Sequence, residues 1–239
     1  MKIALIGYGK MGRTIEELAI QRDHKIELKI DENNIEDFTE ENLRRVDVAI
    51  EFSTPHVAYQ NIIKCINSGV PVVSGTTGWL SKFDEVVELC KTENGALFYA
   101  SNFSLGVNIF FKINQYLSKL MAGFTEFDIS IEETHHIHKL DAPSGTAITI
   151  AEDIIKNNPH KNGWIREMQN ERGKIPIHSI RVGEVPGTHI VKYDSPIETI
   201  EIEHSSKSRK GLAMGAITAA EFLLGKTGVF GMDDLLALT

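Results

Sequence analysis

"KIALIGYGKMGRTIEELAI", residues 2–20, joins a continuous apolar run to three glycines and then to a stretch with apolar residues at helical spacing. A short run that is apolar throughout, rather than alternating, suits a strand buried on both faces of a parallel sheet. Gly7, Gly9 and Gly12 stand in G-x-G-x-x-G spacing between that strand and the helix. In this setting Gly7 permits the tight turn, Gly9 lets the backbone approach a pyrophosphate, and Gly12 lets the helix close on the strand. The helix N-terminus then offers unpaired N–H groups to an anion. A plain strand-turn-helix corner that needs glycine is the competing reading.

The same grammar recurs outward from this stretch. "KIELKI", "VDVAIEF", "VPVVSG" and "ALFYAS" read as further strands. "PHVAYQNIIKCINS" and "KFDEVVELCKT" carry apolar residues at helical spacing, as with Ala58, Ile62, Cys65 and Ile66. The pattern predicts an α/β fold whose residues 1–104 form a Rossmann-type, doubly wound parallel sheet that binds a dinucleotide. Asp31 closes the second strand nineteen residues after Gly12, where a carboxylate accepts hydrogen bonds from a ribose diol. Glu32 follows, and the next cation in sequence is Arg44. A 2′-phosphate would meet two carboxylates there, so the expected cofactor is NADH in preference to NADPH. Asp31 as a simple turn residue in "DENN" is the alternative.

After Ser101 the pattern changes. A helix over "LGVNIFFKINQYLSKLM" leads into "FDISIEE", where Phe127, Ile129 and Ile131 alternate with Asp128, Ser130 and Glu132. "IHSIRV", "THIVKY" and "ETIEIEH" alternate in the same way, giving four expected strands in a mixed sheet. Residues 105–209 therefore read as a second, α+β domain for substrate binding and oligomerisation, one sheet face being left for solvent or a partner. "NNPHKNGWIREMQNERGKIP" lacks periodicity and reads as a surface loop. An Ala- and Leu-rich helix from Gly211 to Leu224 then returns to the first domain, within a C-terminal segment 210–239.

A formal net charge of −8 over 239 residues argues against general nucleic-acid or anionic-membrane binding. Cys65 and Cys90 fall in expected helices without metal-ligand spacing. The chain opens directly into a strand, with no leader and no long apolar run, which suggests a cytoplasmic protein with no membrane span.

Against that acidic background, "EETHHIHKLDAPSGT" (132–146) places three histidines and a lysine within five positions. A solvated surface run, a metal site and a nucleic-acid patch are three readings. A metal would use His136 and His138 on one side of an extended strand, with Asp141 or Glu133, but Lys139 would repel it and no metal is expected. The fourth reading is a site for an anionic small molecule with its own proton donor. Pro143 and Ser144 precede a helix with Ala147, Ile148, Ala151, Ile154 and Ile155 as its apolar positions. Ser144, Gly145 and Thr146 would then present N–H and hydroxyl donors to a carboxylate, a role compatible with a simple N-cap. The stretch points to a multiply anionic substrate.

"GYGKMG", "EFSTP", "GTTGW", "NFSLGVN", "EETHHIHKLDAPSGTA" and "SSKSRKGLAMGA" occur in that order. Together they resemble the dihydrodipicolinate (4-hydroxy-tetrahydrodipicolinate) reductase family of bacterial lysine and diaminopimelate biosynthesis, over nearly the whole chain. The resemblance implies hydride transfer from NADH, or also NADPH, to a cyclic imine dicarboxylate formed with loss of water, and a homotetramer. By similarity Gly7, Gly9, Lys10, Met11 and Gly12 hold the pyrophosphate. Phe52 and Ser53 match a further cofactor segment, and Gly75, Thr76, Thr77, Ser101, Asn102 and Phe103 match the segments that place the nicotinamide. His135 matches the proton donor and Lys139 the second catalytic residue; His136, Ser144, Gly145 and Thr146 match the substrate-carboxylate site. On a regular strand His135 and Lys139 share one side. Ile137 departs from the family's common pattern, in which a basic residue often stands. "SSKSRK", with Arg209, reads as a hinge, a rim of the site or a solvated linker. Another Rossmann-type amino-acid or imine dehydrogenase would share the glycines without needing "HHIHK" and "PSGT". An NADH-sensing regulator would bind cofactor without turnover.

Overall fold

A computed structural model describes residues 1–166, 171–208 and 210–237. The chain divides into two units, Met1–Leu105 with Lys210–Thr239, and Gly106–Arg209.

The first unit is built on six parallel strands: β1 (Lys2–Ile6), β2 (Lys25–Ile30), β3 (Val48–Glu51), β4 (Val72–Ser74), β5 (Ala96–Tyr99) and a late strand, β11 (Gly228–Phe230). Their order is β11-β5-β4-β3-β1-β2. Helices α1 (Lys10–Gln21), α2 (Glu40–Leu43), α3 (Pro55–Asn67) and α4 (Phe83–Thr92) alternate with the strands, and α7 (Lys210–Leu223) and α8 (Met232–Leu235) complete the unit. The continuous apolar run of β1 now has its reason. Ile3 and Leu5 enter a core with α1 and α7, whereas Ala4 and Ile6 enter a second core with α3 and α4. Gly9 caps α1 without any side-chain hydrogen bond. Glycine in place of a capping side chain costs only about a few tenths of a kcal/mol. Burial of Ile15 and Leu18 contributes roughly 1.5–3 kcal/mol each, so packing holds the helix and leaves its first turn free for a ligand. Cys65 and Cys90 are buried in α3 and α4; burial pushes the Cys90 thiol up to about 11 and that of Cys65 higher still.

The second unit carries β6 (Asp128–His135), β7 (Gly163–Ile165), β8 (Lys174–Arg181), β9 (Gly187–Asp194) and β10 (Thr199–Ser206), in the order β10-β9-β6-β8-β7. The sheet is mixed: β6–β9 and β9–β10 run antiparallel, β6–β8 and β7–β8 parallel. The inward-facing Ile129, Ile131, Ile177, Val191 and Tyr193 form one core with α5 (Leu105–Met121) and α6 (Gly145–Asn157).

Two strands depart from expectation. The segment read as a surface loop contains β7, which pairs with β8 and raises the second sheet from four strands to five. Gly228–Phe230 adds a sixth strand to the first sheet. Each is three residues long, too short to display a period of two, and each sits at a sheet edge. Residues 167–170 of that segment, and Arg209 of "SSKSRK", lie outside the described residues. Among the described residues no helix is long and apolar enough to cross a membrane.

Candidate active site

In the first unit β1 is flanked by β2 on one side and β3 on the other, so the chain reverses its direction of winding there. Open parallel sheets bind ligands in the crevice that such a reversal leaves at the carboxyl ends of the strands. Gly7 follows β1 with φ +95°, and a Cβ on it would lie 2.0 Å from the Phe52 carbonyl oxygen. A Cβ on Gly12 would lie 2.4 Å from the Gly7 carbonyl oxygen, whereas Gly9 has nothing within 4 Å. Two of the glycines thus close the turn, and the third opens space at the helix start, which fits a dinucleotide pyrophosphate. Lys10 begins α1 in the open and Met11 is half-buried beside it.

A cleft of about 1170 Å³ at this crevice is lined by Gly7, Gly9, Asp31 and Glu32, and also by Arg13 and Lys64. The sequence order hides these two cations, because one comes from α1 and the other from α3. Arg13 lies over the Tyr8 ring at 5.7 Å and Lys64 over the Phe38 ring at 4.6 Å. An Asp31 carboxylate oxygen accepts from the Asn33 N–H at 2.7 Å, so Asp31 does initiate the turn while lining the cleft. A smaller cavity of about 290 Å³ brings together Met11, Phe52, Ser53, Gly75, Thr76 and Thr77. Ser101 is exposed and the Asn102 side chain accepts from the Ser104 N–H at 2.9 Å. Phe103 is 1% exposed, its ring packed 5.6 Å from Phe52 and 5.8 Å from Phe98, so its side chain belongs to the core.

The second unit concentrates its polar groups at one end of its sheet. The inward series of β6 runs Ile129, Ile131, Glu133, His135: two core residues, then two ionisable ones, all buried. Register places His189 of β9 opposite Glu133, and Arg181 of β8 opposite His135. Glu133 is fully buried; Oε2 bonds His135 Nδ1, while Oε1 accepts from Arg181 Nη2 at 2.7 Å and from the Ser144 N–H at 3.3 Å. Burial pushes the Glu133 carboxyl up, but the hydrogen bonds from His135 and Arg181 outweigh it and hold the pKa at about 2. Arg181 also donates to the carbonyls of Lys139 (3.3 Å) and Asp141 (2.6 Å), clamping the turn that follows β6.

His189 is 4% exposed, and burial, then the neighbouring His135, lower its pKa to about 3. Its Nε2 lies 3.0 Å from Ser144 Oγ, which accepts from the Ala147 N–H at 3.2 Å, leaving the hydroxyl proton for the imidazole. The rings of His189 and His135 meet edge to face, with centroids 5.1 Å apart. A Cβ on Gly187 would fall 2.9 Å from His135 Nε2, so glycine there keeps a side chain off the nitrogen that Glu133 does not use. Ligand atoms of Glu133, His135 and His189 all lie within 4.8 Å of one another, as a metal would need. Both oxygens of Glu133 are already engaged, however, one of them by a guanidinium, and this donor set is arranged as a hydrogen-bonded ion-pair network.

β6 ends at His135, so the shared-side relation expected for His135 with Lys139, and for His136 with His138, does not hold. The chain turns instead, with the Lys139 N–H bonded to the His136 carbonyl at 3.1 Å. Lys139 Nζ contacts both Asp141 carboxylate oxygens at 2.7 Å, and that bond lowers the Asp141 pKa. His138 is exposed and faces Glu184 at 3.2 Å. His136 is half-buried, and its Nδ1 is buried without a partner among the described residues. Ser144 is the N-cap of α6, as its alternative reading had it, and Gly145 and Thr146 open the helix. Arg181 and His189 carry no signal in the sequence that would join them to the anion site, and Glu133 is named there only as a metal-ligand alternative.

Residues 1–103 match the family model described as dihydrodipicolinate reductase, N-terminus, and residues 106–236 the one described as dihydrodipicolinate reductase, C-terminus. The chain is 51% identical to the 4-hydroxy-tetrahydrodipicolinate reductase of Christiangramia forsetii over 241 residues, covering 99% of this chain and 98% of that one. It is 36% identical to the enzyme of the same name from Caldanaerobacter subterraneus subsp. tengcongensis over 242 residues, covering 95% and 94%. The solved structure of dipicolinate-bound dihydrodipicolinate reductase from Paenisporosarcina sp. TG-14 shares the fold, with a TM-score of 0.78 at 23% identity over 97% of each chain. The glycine turn, the histidine-carboxylate cluster and these matches across both units agree: the chain belongs to the dihydrodipicolinate reductase family.

Proposed function

We propose that the protein reduces 4-hydroxy-tetrahydrodipicolinate to tetrahydrodipicolinate with loss of water, with His135 as the proton donor. The observation that carries this reading is His135 held through Nδ1 by a buried, arginine-paired carboxylate, next to the N-terminus of α6. Bound NAD(P)H supplies the hydride. The chain's own residues do the rest. Glu133 fixes the imidazole ring and its Nδ1–H, which leaves Nε2 to deliver a proton to the carbon next to the C=N bond, which becomes electron-rich, as in an enamine, once hydride has added to the C=C bond conjugated with that imine. Loss of water creates that C=C bond, one hydride and one proton saturate it, and the imine is kept; oxidised cofactor and water are the other products. Imidazole suits the step because its ordinary pKa, about 6.5, allows both protonation states near neutrality.

His136, Gly145 and Thr146 are assigned to the substrate carboxylates, with Lys139 beside them. Ser144 acts one step removed, since its hydroxyl is spent on the helix start and His189. Thr146→Val is expected to raise substrate KM by roughly tenfold with kcat little changed, because a hydrogen bond to a charged group is worth about 1.5–3 kcal/mol. Steady-state kinetics of the variant check this; an unchanged KM removes Thr146 from the carboxylate site.

The finer cofactor reading is a preference for NADH. Asp31 and Glu32 place two carboxylates on the cleft where a 2′-phosphate would come, and the two cations that share its lining are turned onto aromatic rings. kcat/KM is expected to favour NADH by about tenfold or more, the scale of a like-charge contact. Comparable values, or a preference for NADPH, would overturn this reading.

A further inference from the structure

β3 ends an otherwise apolar strand, Val48–Ile50, with a fully buried glutamate, Glu51. Burying a carboxyl group is costly unless its oxygens are hydrogen-bonded, so the identity of its partners indicates what the group is for. The donors that reach it are neutral, and they come from β4 and from two loops. Ser74 Oγ donates to Oε2 at 2.8 Å. Oε1 accepts from the Ser53 N–H at 3.1 Å, from the Ser53 hydroxyl, and from Thr76 Oγ1 at 3.1 Å. The two loops also meet directly, the Ser53 N–H lying 2.9 Å from Thr76 Oγ1. On the strand ladder Glu51 pairs with Ser74, and its own carbonyl accepts from the Gly75 N–H at 3.0 Å.

Ser53 follows β3 and Thr76 follows β4, and both line the smaller cavity. Their hydroxyls turn inward to Glu51, so that the loops present the rest of their surface to that cavity in one fixed arrangement. An apolar residue at 51 would continue the strand equally well but would leave these loops untied.

We propose that Glu51 is a positioning residue that locks the "STP" and "GTTG" loops into the shape that receives the nicotinamide, an inference that rests on assigning those loops to the cofactor's nicotinamide end. The test uses the full-length protein and two ligands: NADH, titrated through its nicotinamide fluorescence, and ADP-ribose, which lacks that ring. Glu51→Leu is expected to weaken NADH by about tenfold or more while ADP-ribose affinity stays within about twofold of wild type. Glu51→Gln is expected to restore NADH binding to within about threefold, since the amide oxygen can replace Oε1 while the NH2 group faces the Ser74 hydroxyl, which can turn to accept. A leucine variant that binds NADH like wild type, or that loses both ligands in equal proportion, overturns the proposal. Wild-type protein that binds NADH no better than ADP-ribose, with unaltered nicotinamide fluorescence, overturns the loop assignment itself.

Discussion

His135→Asn is expected to lower kcat by about 10²–10⁴-fold, the range for losing a general acid, with the dissociation constant for NADH unchanged from wild type. Asparagine is the informative substitution because its side-chain N–H can take the place of Nδ1–H against Glu133, so the buried carboxylate keeps a partner. It carries no titratable proton where Nε2 stood. His135→Ala removes the acid as well, but leaves one Glu133 oxygen without its donor and so mixes a chemical effect with a structural one. Stopped-flow traces of cofactor oxidation separate the two variants, and a kcat within a few-fold of wild type in both would take His135 out of the reaction. Cofactor affinity is expected to be unchanged in either variant, because the glycine turn proposed to hold the cofactor lies in the first unit and His135 in the second.

The second large effect falls on stability. Glu133→Leu strips Arg181 and His135 of their shared partner inside the protein, and breaking a buried ion pair from one side typically costs about 3–5 kcal/mol. The urea midpoint at pH 7 is expected to fall accordingly. The same residue shapes the acid limb. Its folded pKa of about 2 lies below the ordinary 4.5, so its contribution is complete above pH 4.5 and is lost as pH falls from there towards 2. His189 adds a loss of the same sign in a higher window. Its folded pKa of about 3 lies below 6.5, the unfolded chain binds the extra proton, and stability falls as pH drops from 6.5 towards 3. Urea midpoints measured from pH 7 to pH 3 therefore fall in wild type from about pH 6.5 downwards. Glu133→Leu removes the lower component and keeps the upper one, which deepens because the Glu133 charge otherwise raises the His189 pKa. A leucine variant with the wild-type midpoint and acid limb would mean that the Glu133 network holds nothing together.

The parallel sheet was legible because its strands are apolar throughout and its helices keep a regular stripe, so local pattern and tertiary environment agree. β7 and β11 were not, since three residues joined to a sheet edge leave no periodic trace. The cofactor crevice shows the limit of reading by sequence distance. Arg44 is the first cation after Asp31 along the chain, yet Arg13 and Lys64, from other elements, line the same cleft. In the second unit Glu133 had a visible signal: it continues the inward series of Ile129 and Ile131, and a carboxylate at an inward position needs a partner. That partner was out of sight, because Arg181 and His189 sit in strands whose register with β6 depends on the order β9-β6-β8. The side-sharing of His135 and Lys139 failed for a local reason, the strand ending at His135 itself.

The most direct measurement is cofactor oxidation by the purified protein, with 4-hydroxy-tetrahydrodipicolinate generated in situ from pyruvate and aspartate semialdehyde by the preceding synthase. Rapid NADH oxidation that requires the synthase and collapses in His135→Asn is the expected result. A protein that binds NADH yet oxidises neither NADH nor NADPH when that substrate is supplied would contradict the assignment of the reaction.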